Sequence, residues 1–232
     1  MRIGVIGPTE REIMPFIGKI SNVKFSEHAM LKFYSGDYEG IEVVSVVCGV
    51  CKVNAAIATQ ILINKFEVTH ILLTGVAGAL NRQLEIGDIV ISSEVAYHDV
   101  AHEILTEYHP WMEDIYIKPD VELLELCENI ANSLSIPSKC HIGRIITGES
   151  FITHNERESL IEHFNPLCVD MESASVAHTC YVNNIPFIVI RSMSDDADEN
   201  ASKTFESNIE MAALNSIKFV EELIKKLSIS LK

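Results

Sequence analysis

Continuous apolar runs alternate with amphipathic stripes along this chain, and most runs end in a short polar or glycine-containing segment. Runs over Arg2–Ile6, Val68–Leu73, Asp88–Ala96, Cys140–Ile146, Leu167–Val169 and from Phe187 onward are rich in β-branched residues. Such runs read as strands buried on both faces, as in a sheet covered by helices on each side. Between them the 3.6-residue period predicts helices over Lys52–Phe66, Val121–Leu134, His154–Phe164, from Asp170-Met171-Glu172 to about Asn183, and from about Thr204 to Leu227. The buried stripe of the second of all helices is expected to be Val53, Ala56, Ile57, Ile61 and Leu62. That of the last is expected to be Phe205, Ile209, Ala213, Ile217, Val220 and Ile224.

Turn chemistry fills in the rest. Gly7-Pro8 closes the first strand, and Thr9 with Glu12 forms a Thr-x-x-Glu capping box for a first helix. Residues 29–48 read as a hairpin about Asp37-Tyr38-Glu39-Gly40. Residues 103–119 read as a long surface loop, and residues 196–203 as a polar loop. No linker, repeat or compositional break divides residues 1–232. Alternating strands and helices then predict a single α/β domain, with a mainly parallel or mixed sheet and helices on both faces.

In open α/β sheets ligands bind beyond the carboxyl ends of strands. Here those ends offer Glu12, the Gly75–Ala79 segment, Phe151, Asp170-Met171-Glu172 and Ser194-Asp195. Each has a structural reading: a cap, a tight turn, a core aromatic, acidic residues favoured in a helix's first turn, a solubilising loop. Together they make a flat ring, a backbone-lined segment and several carboxylates with few cations. That set suits a neutral, hydroxylated, ring-bearing ligand such as a nucleoside, and not a polyphosphate.

Charge narrows the field further. The formal net charge of −15 argues against a nucleic-acid or anionic-membrane surface. No apolar run approaches the roughly 20 residues of a membrane span, and the opening run is too short for a signal-peptide core, so a cytoplasmic protein is expected. Six cysteines then default to buried thiols. Cys48-Gly49-Val50-Cys51 has redox or zinc spacing but lacks a second pair to complete a metal site. His98 and His102 lie four apart without a preceding His-Glu-x-x-His arrangement, so no metal is expected.

Gly7 through Glu12, Thr74-Gly75-Val76-Ala77-Gly78, Tyr97-His98-Asp99, Thr147-Gly148-Glu149-Ser150-Phe151-Ile152, Met171-Glu172 and Arg191-Ser192-Met193-Ser194-Asp195 occur in one order at characteristic spacing. In this the chain resembles the 5′-methylthioadenosine/S-adenosylhomocysteine nucleosidases of the purine nucleoside phosphorylase-like superfamily, along essentially its whole length. The resemblance implies a three-layer α/β/α fold with a mixed, partly barrel-like sheet, and a homodimer with the 100–114 loop near the partner subunit. It implies hydrolysis of the bond between adenine N9 and ribose C1′ in methionine salvage and S-adenosylmethionine recycling, without metal or cofactor. By the same resemblance Asp195 is the general acid, Ser194 orients it, and Glu12 is the base that takes a proton from water. Glu172 accepts the ribose hydroxyls, Met171 packs on the ribose, Phe151 stacks on adenine and the Ile152 backbone reads its edge. Val76 and Val50 lie near the ribose and the 5′ substituent.

The chain departs from many relatives at Thr9, Val76 and Asp170, and most of all over Val100–Asp114. The 5′ group is therefore open among methylthio, homocysteine, deoxyadenosine and futalosine-type substituents. The rival readings are a phosphorylase of the same superfamily, for which Arg11 is the one candidate cation, and a non-catalytic nucleoside-binding protein.

Overall fold

A computed structural model describes residues 1–108, 110–133, 138–198 and 201–230. The chain opens with β1 (Arg2–Gly7), α1 (Glu10–Ile17), β2 (Ser21–His28), β3 (Leu31–Tyr38), β4 (Ile41–Val47) and α2 (Lys52–Phe66). It continues through β5 (His70–Ala79), β6 (Ile89–Tyr97), α3 (His102–Glu107), α4 (Val121–Ser133) and β7 (Cys140–Thr147). It closes with α5 (His154–Phe164), β8 (Cys168–Asp170), α6 (Ser173–Asn183), β9 (Phe187–Asp195) and α7 (Ala201–Ser230).

All these strands share one mixed sheet in the order β2-β3-β4-β1-β5-β8-β7-β6-β9, and β9 returns to pair with β5. The β5-β8-β7-β6-β9 portion is therefore a closed ring, while β2-β3-β4-β1 extends from it as an open wing. Parallel pairs join β1 to β4 and β5, β5 to β9, and β7 to β6 and β8. Antiparallel pairs join β2 to β3, β3 to β4, β5 to β8, and β6 to β9.

The unbroken apolar runs have a direct cause. In β9, Phe187 and Val189 pack into the core beneath α2 and α6, whereas Ile188 and Ile190 pack into the core beneath α1, α4 and α7. Successive side chains of a strand point to opposite faces, so a strand with helices on both faces has no position left for a polar residue.

Several elements depart from expectation. β5 and β9 do not stop where their apolar runs stop: closure of the ring carries them on through Thr74–Ala79 and Arg191–Asp195. The glycine segment is thus strand, not turn. β2 is not expected from the sequence, because its side chains are mostly exposed and its apolar alternation is limited to Val23 and Phe25. α2 buries Ala55, Ala58, Thr59 and Leu62, while Val53 and Ile57 of the expected stripe face outward. The 103–119 segment contains most of α3 and buries Met112 and Ile117; its His109 lies outside the described residues. α7 begins at Ala201, so the 196–203 segment is shorter than expected, and its Glu199 and Asn200, like Leu134, lie outside the described residues.

The β2–β3 turn holds a local strain. His28 pairs with Leu31, and the two linking residues, Ala29 and Met30, take φ of 52° and 63°. Two-residue hairpin turns with both φ positive favour Asn-Gly, because a Cβ is penalised there. Ala29→Asn with Met30→Gly is expected to stabilise the protein by about 1 kcal/mol and to raise Tm by about 2–4 °C in a thermal melt. An unchanged or lowered Tm would show that the turn is unstrained.

Candidate active site

Glu12 stands in the first turn of α1, buried beside the carboxyl end of β1. Only half of the capping box forms: Glu12 accepts from the Thr9 N–H, but Thr9 Oγ1 donates to Glu12 Oε2 at 2.6 Å instead of accepting from the backbone, and Glu12 Oε1 accepts from the Val76 N–H at 3.0 Å. Gly75 makes this approach possible. Its φ of +151° suits glycine, and a Cβ there would lie 2.4 Å from Arg191 Nη1 and 2.6 Å from Glu12 Oε1. The Glu12 and Arg191 side chains therefore converge on the same bare backbone atom.

Arg191 is fully buried within β9. Its Nε donates to Asp170 Oδ2 at 2.8 Å and its Nη2 to Glu172 Oε2 at 3.0 Å. Nη1 has no partner among the described residues. An unpaired buried donor on a charged group is costly, and such positions mark where water or a ligand is held. Glu172, between β8 and α6, also accepts from the Cys51 N–H at 3.0 Å. Burial pushes its pKa up to about 7 against the pull of Arg191. Burial raises Glu12 too, again opposed by Arg191.

Asp195 closes β9 on the other side of the cavity. Its Oδ2 accepts from Ser194 Oγ at 2.8 Å and its Oδ1 from the Ala197 N–H at 3.0 Å. Gly78 gives it room, since a Cβ there would lie 2.9 Å from Oδ1. Burial raises the Asp195 pKa, with Asp196 and Asp198 adding to the rise. The environments of Glu12 and Asp195 thus differ in kind: one desolvated carboxyl faces a cation, the other faces anions.

Glu12, Val50, Val76, Phe151, Ile152, Met171, Glu172, Ser194 and Asp195 all line one cavity of about 190 Å³. The structure also brings in Thr9, Asp170 and Phe205, and behind them Arg191, to which the sequence reading gave no role. The signal for Arg191 was a lone charge inside a run otherwise buried on both faces. At the rim, Val50 and Phe151 are 40% and 41% exposed, and Phe205 meets Phe151 edge-on at 6.0 Å. The loops carrying them are braced together. Lys52 Nζ pairs with Asp99 at 2.8 Å, Asp99 Oδ2 accepts from the Glu149 N–H, and Glu149 Oε1 accepts from the Lys52 N–H.

Other candidates do not join the site. Arg11 projects away from the cavity and pairs with Glu206 at 2.9 Å. Cys48 and Cys51 are unbridged, and burial raises both thiols. His98 precedes α3 while His102 opens it, so they do not share a helix face. Among the described residues no group of three or more His, Cys, Asp or Glu is arranged to hold a metal, and no helix is long and apolar enough to cross a membrane.

Comparison with known proteins meets this geometry. The phosphorylase superfamily profile matches residues 2–225. A 5′-methylthioadenosine/S-adenosylhomocysteine nucleosidase of Exiguobacterium sp. is 37% identical over 232 residues, covering 98% of this chain and 99% of its own. The crystal structure of such a nucleosidase from Colwellia psychrerythraea, in complex with adenine, superposes with a TM-score of 0.92 at 36% identity, covering 98% of this chain and 96% of that one. Futalosine hydrolase of Helicobacter pylori superposes with a TM-score of 0.89 at 30% identity, covering 97% and 98%. The chain belongs to the phosphorylase superfamily and, within it, to the 5′-methylthioadenosine/S-adenosylhomocysteine nucleosidase family.

Proposed function

We propose that the protein hydrolyses the N-glycosidic bond of 5′-methylthioadenosine and S-adenosylhomocysteine, releasing adenine and a 5-substituted ribose. The observation that carries this reading is the convergence on one cavity of three buried carboxyls with unused acceptor capacity. A carboxylate offers about four acceptor positions. Glu172 and Asp195 each accept only two hydrogen bonds among the described residues, and Glu12 accepts from Thr9 Oγ1 and from the Val76 and Thr9 N–H groups, so each has a position left.

The chemistry follows from their settings. Water held between Glu12 Oε1 and Arg191 Nη1 attacks C1′, and Glu12 takes its proton. Asp195 gives its proton to adenine N7, so the base leaves neutral as the N9–C1′ bond breaks. Two carboxyls in opposite protonation states are what glycosidic hydrolysis requires, and a cation beside one and anions beside the other push them apart in that sense. Glu172 accepts the ribose hydroxyls, and its charge favours the oxocarbenium-like transition state. Met171 packs on the ribose beside Val76, Phe151 stacks on adenine, and the Ile152 backbone faces the base edge. Val50 borders the 5′ group.

Water is the nucleophile, not phosphate. Among the described residues lining the cavity there is no lysine or arginine. Arg191 is already bound by two carboxylates, and a phosphate dianion there would face Glu12 and Glu172. Glu12→Gln is expected to lower kcat by about 10²–10⁴-fold while a calorimetric titration still shows nucleoside binding. Hydrolysis at the wild-type rate by this variant would remove Glu12 from the mechanism. A futalosine-type 5′ group is a second reading, favoured by the half-open rim at Val50 and Phe151. Comparing kcat/KM across methylthio, homocysteine, deoxy and futalosine-type substrates ranks them.

The protein acts as a homodimer. α2 is apolar on both sides: beyond its buried face, Val53 is 68% and Ile57 41% exposed. A helix apolar all round calls for cover on both faces. Ile104, Tyr108 and Trp111 of the 100–114 segment add further exposed apolar surface. Sedimentation equilibrium is expected to give a dimer, and Val53→Glu to shift it toward monomer. A monomeric wild-type protein would contradict this.

A further inference from the structure

Asp170 lines the cavity alongside Glu172, yet its hydrogen bonding is of another kind. Its Oδ1 accepts from Thr147 Oγ1 at 2.6 Å, the Ser173 N–H at 3.1 Å and the Glu172 N–H at 3.3 Å. Its Oδ2 accepts from Arg191 Nε at 2.8 Å and from Ser173 Oγ. Those donors come from β7, β9 and the start of α6, and they fill the roughly four acceptor positions a carboxylate has. Asp170 therefore has no capacity left for a substrate. It differs in this from Glu12, Glu172 and Asp195.

The node has a definite consequence for Arg191. A guanidinium is planar, so fixing its Nε edge fixes the direction of Nη1. Asp170 holds Nε, and Glu172 Oε2 holds Nη2 from the same side. The remaining nitrogen, Nη1, is driven toward Gly75, where Glu12 Oε1 also lies. Thr147 is itself held, since its Oγ1 accepts from the Ala174 N–H at 2.9 Å. The node is thus tied to the first turn of α6 as well as to the ring strands.

We propose that Asp170 is a positioning residue for the hydrolytic step: by clamping Arg191 Nε it aims Nη1 at the water site shared with Glu12. This rests on the nucleosidase reading given above. The role belongs to geometry, because Asp170 touches neither the water nor the sugar. A misplacement of about 1 Å in a positioning group lowers the rate by about 10²-fold. The loss falls mainly on kcat, since the groups that meet the base and 5′ substituent are untouched and Glu172 keeps its bond from the Cys51 N–H.

The test compares wild type with Asp170→Asn and with Thr147→Val, a milder change that removes one donor to the same carboxylate and keeps the ion pair. Adenine release is measured at a temperature where each variant is folded by circular dichroism, and the crystal structure of each variant is determined. The expected result for Asp170→Asn is kcat lowered by about 10²-fold with KM within a few-fold of wild type, and Nη1 displaced from its place over Gly75. Thr147→Val is expected to show the same split at smaller size. Should Asp170→Asn fail to fold, Thr147→Val and its crystal structure carry the test. Unchanged kcat, a loss confined to KM, or Nη1 in its wild-type place despite a fall in kcat overturns the proposal. Failure of the nucleosidase reading shows separately, as wild-type protein that releases no adenine. The Nη1 position in the variants then still decides whether Asp170 aims Arg191.

Discussion

Asp195→Asn is expected to lower kcat for adenine release by about 10³-fold, with little change in substrate affinity or fold. Asparagine fills the same space and keeps an acceptor for the Ala197 N–H, so the 2.8 Å and 3.0 Å bonds that seat this side chain have near equivalents. What it lacks is a proton to give to N7. Without that proton adenine must leave as an anion, and the transition state loses its main stabilisation on the base side. The pH dependence has a definite sign. The Asp195 pKa is raised by burial and by Asp196 and Asp198, so the acid form persists above the ordinary carboxylate range and is lost as pH rises further. Wild-type kcat is thus expected to fall on the alkaline side, and Asp195→Asn to lose that limb along with most of the rate. A variant with wild-type kcat and an unchanged profile would mean the proton comes from elsewhere.

Arg191→Met is the second large effect, and it falls on stability. Methionine retains much of the stem's volume but takes away the cation that Asp170 and Glu172 pair with and that Glu12 faces. Breaking a buried ion pair from one side costs about 3–5 kcal/mol, which lowers Tm by roughly 10 °C or more for a chain of this size. In wild type the Glu172 pKa is raised to about 7, above its unfolded value. The folded state then holds a proton that the unfolded chain has released, so this group's contribution to stability falls as pH rises through that window. Removing Arg191 raises Glu172 and Glu12 further and extends the window upward. The deficit is therefore expected to be larger at about pH 8 than at about pH 5. Equal deficits at both pH values would show that the lost term is packing and not charge.

Most strand and helix positions were readable because period and burial agree. The runs from Val68 and Phe187 are apolar on both faces since helices cover both, and the α7 residues Ile209, Ala213, Ile217, Val220 and Ile224 are buried as their spacing requires. What was not readable depends on partners distant in sequence. Closure of the ring extends β5 and β9 past their apolar runs, and no local pattern encodes that pairing. α2 is apolar on every side, so its period does not say which face turns inward; Val53 and Ile57 face out. β2 is an edge strand with an exposed surface, and its alternation stops at Val23 and Phe25.

The cavity shows the same division. Its residues are found at strand ends and near glycines, which the sequence displays. The reasons for some of them lie in three dimensions. Thr9 looked like a cap and instead donates to Glu12. Asp170 looked like a helix-dipole residue and is the anchor of Arg191, 21 residues away in the chain. Gly75 and Gly78 read as a close backbone approach to a ligand or a tight turn, and are strand positions that make room for Glu12, Arg191 and Asp195.

The most direct test is adenine release from 5′-methylthioadenosine and S-adenosylhomocysteine in buffer with and without phosphate, with the sugar product identified. The structure of the cavity leads to release at the same rate in both buffers, yielding the free 5-substituted ribose. Release only with phosphate, yielding a sugar 1-phosphate, would contradict the account and place the protein among the phosphorolytic members of its superfamily.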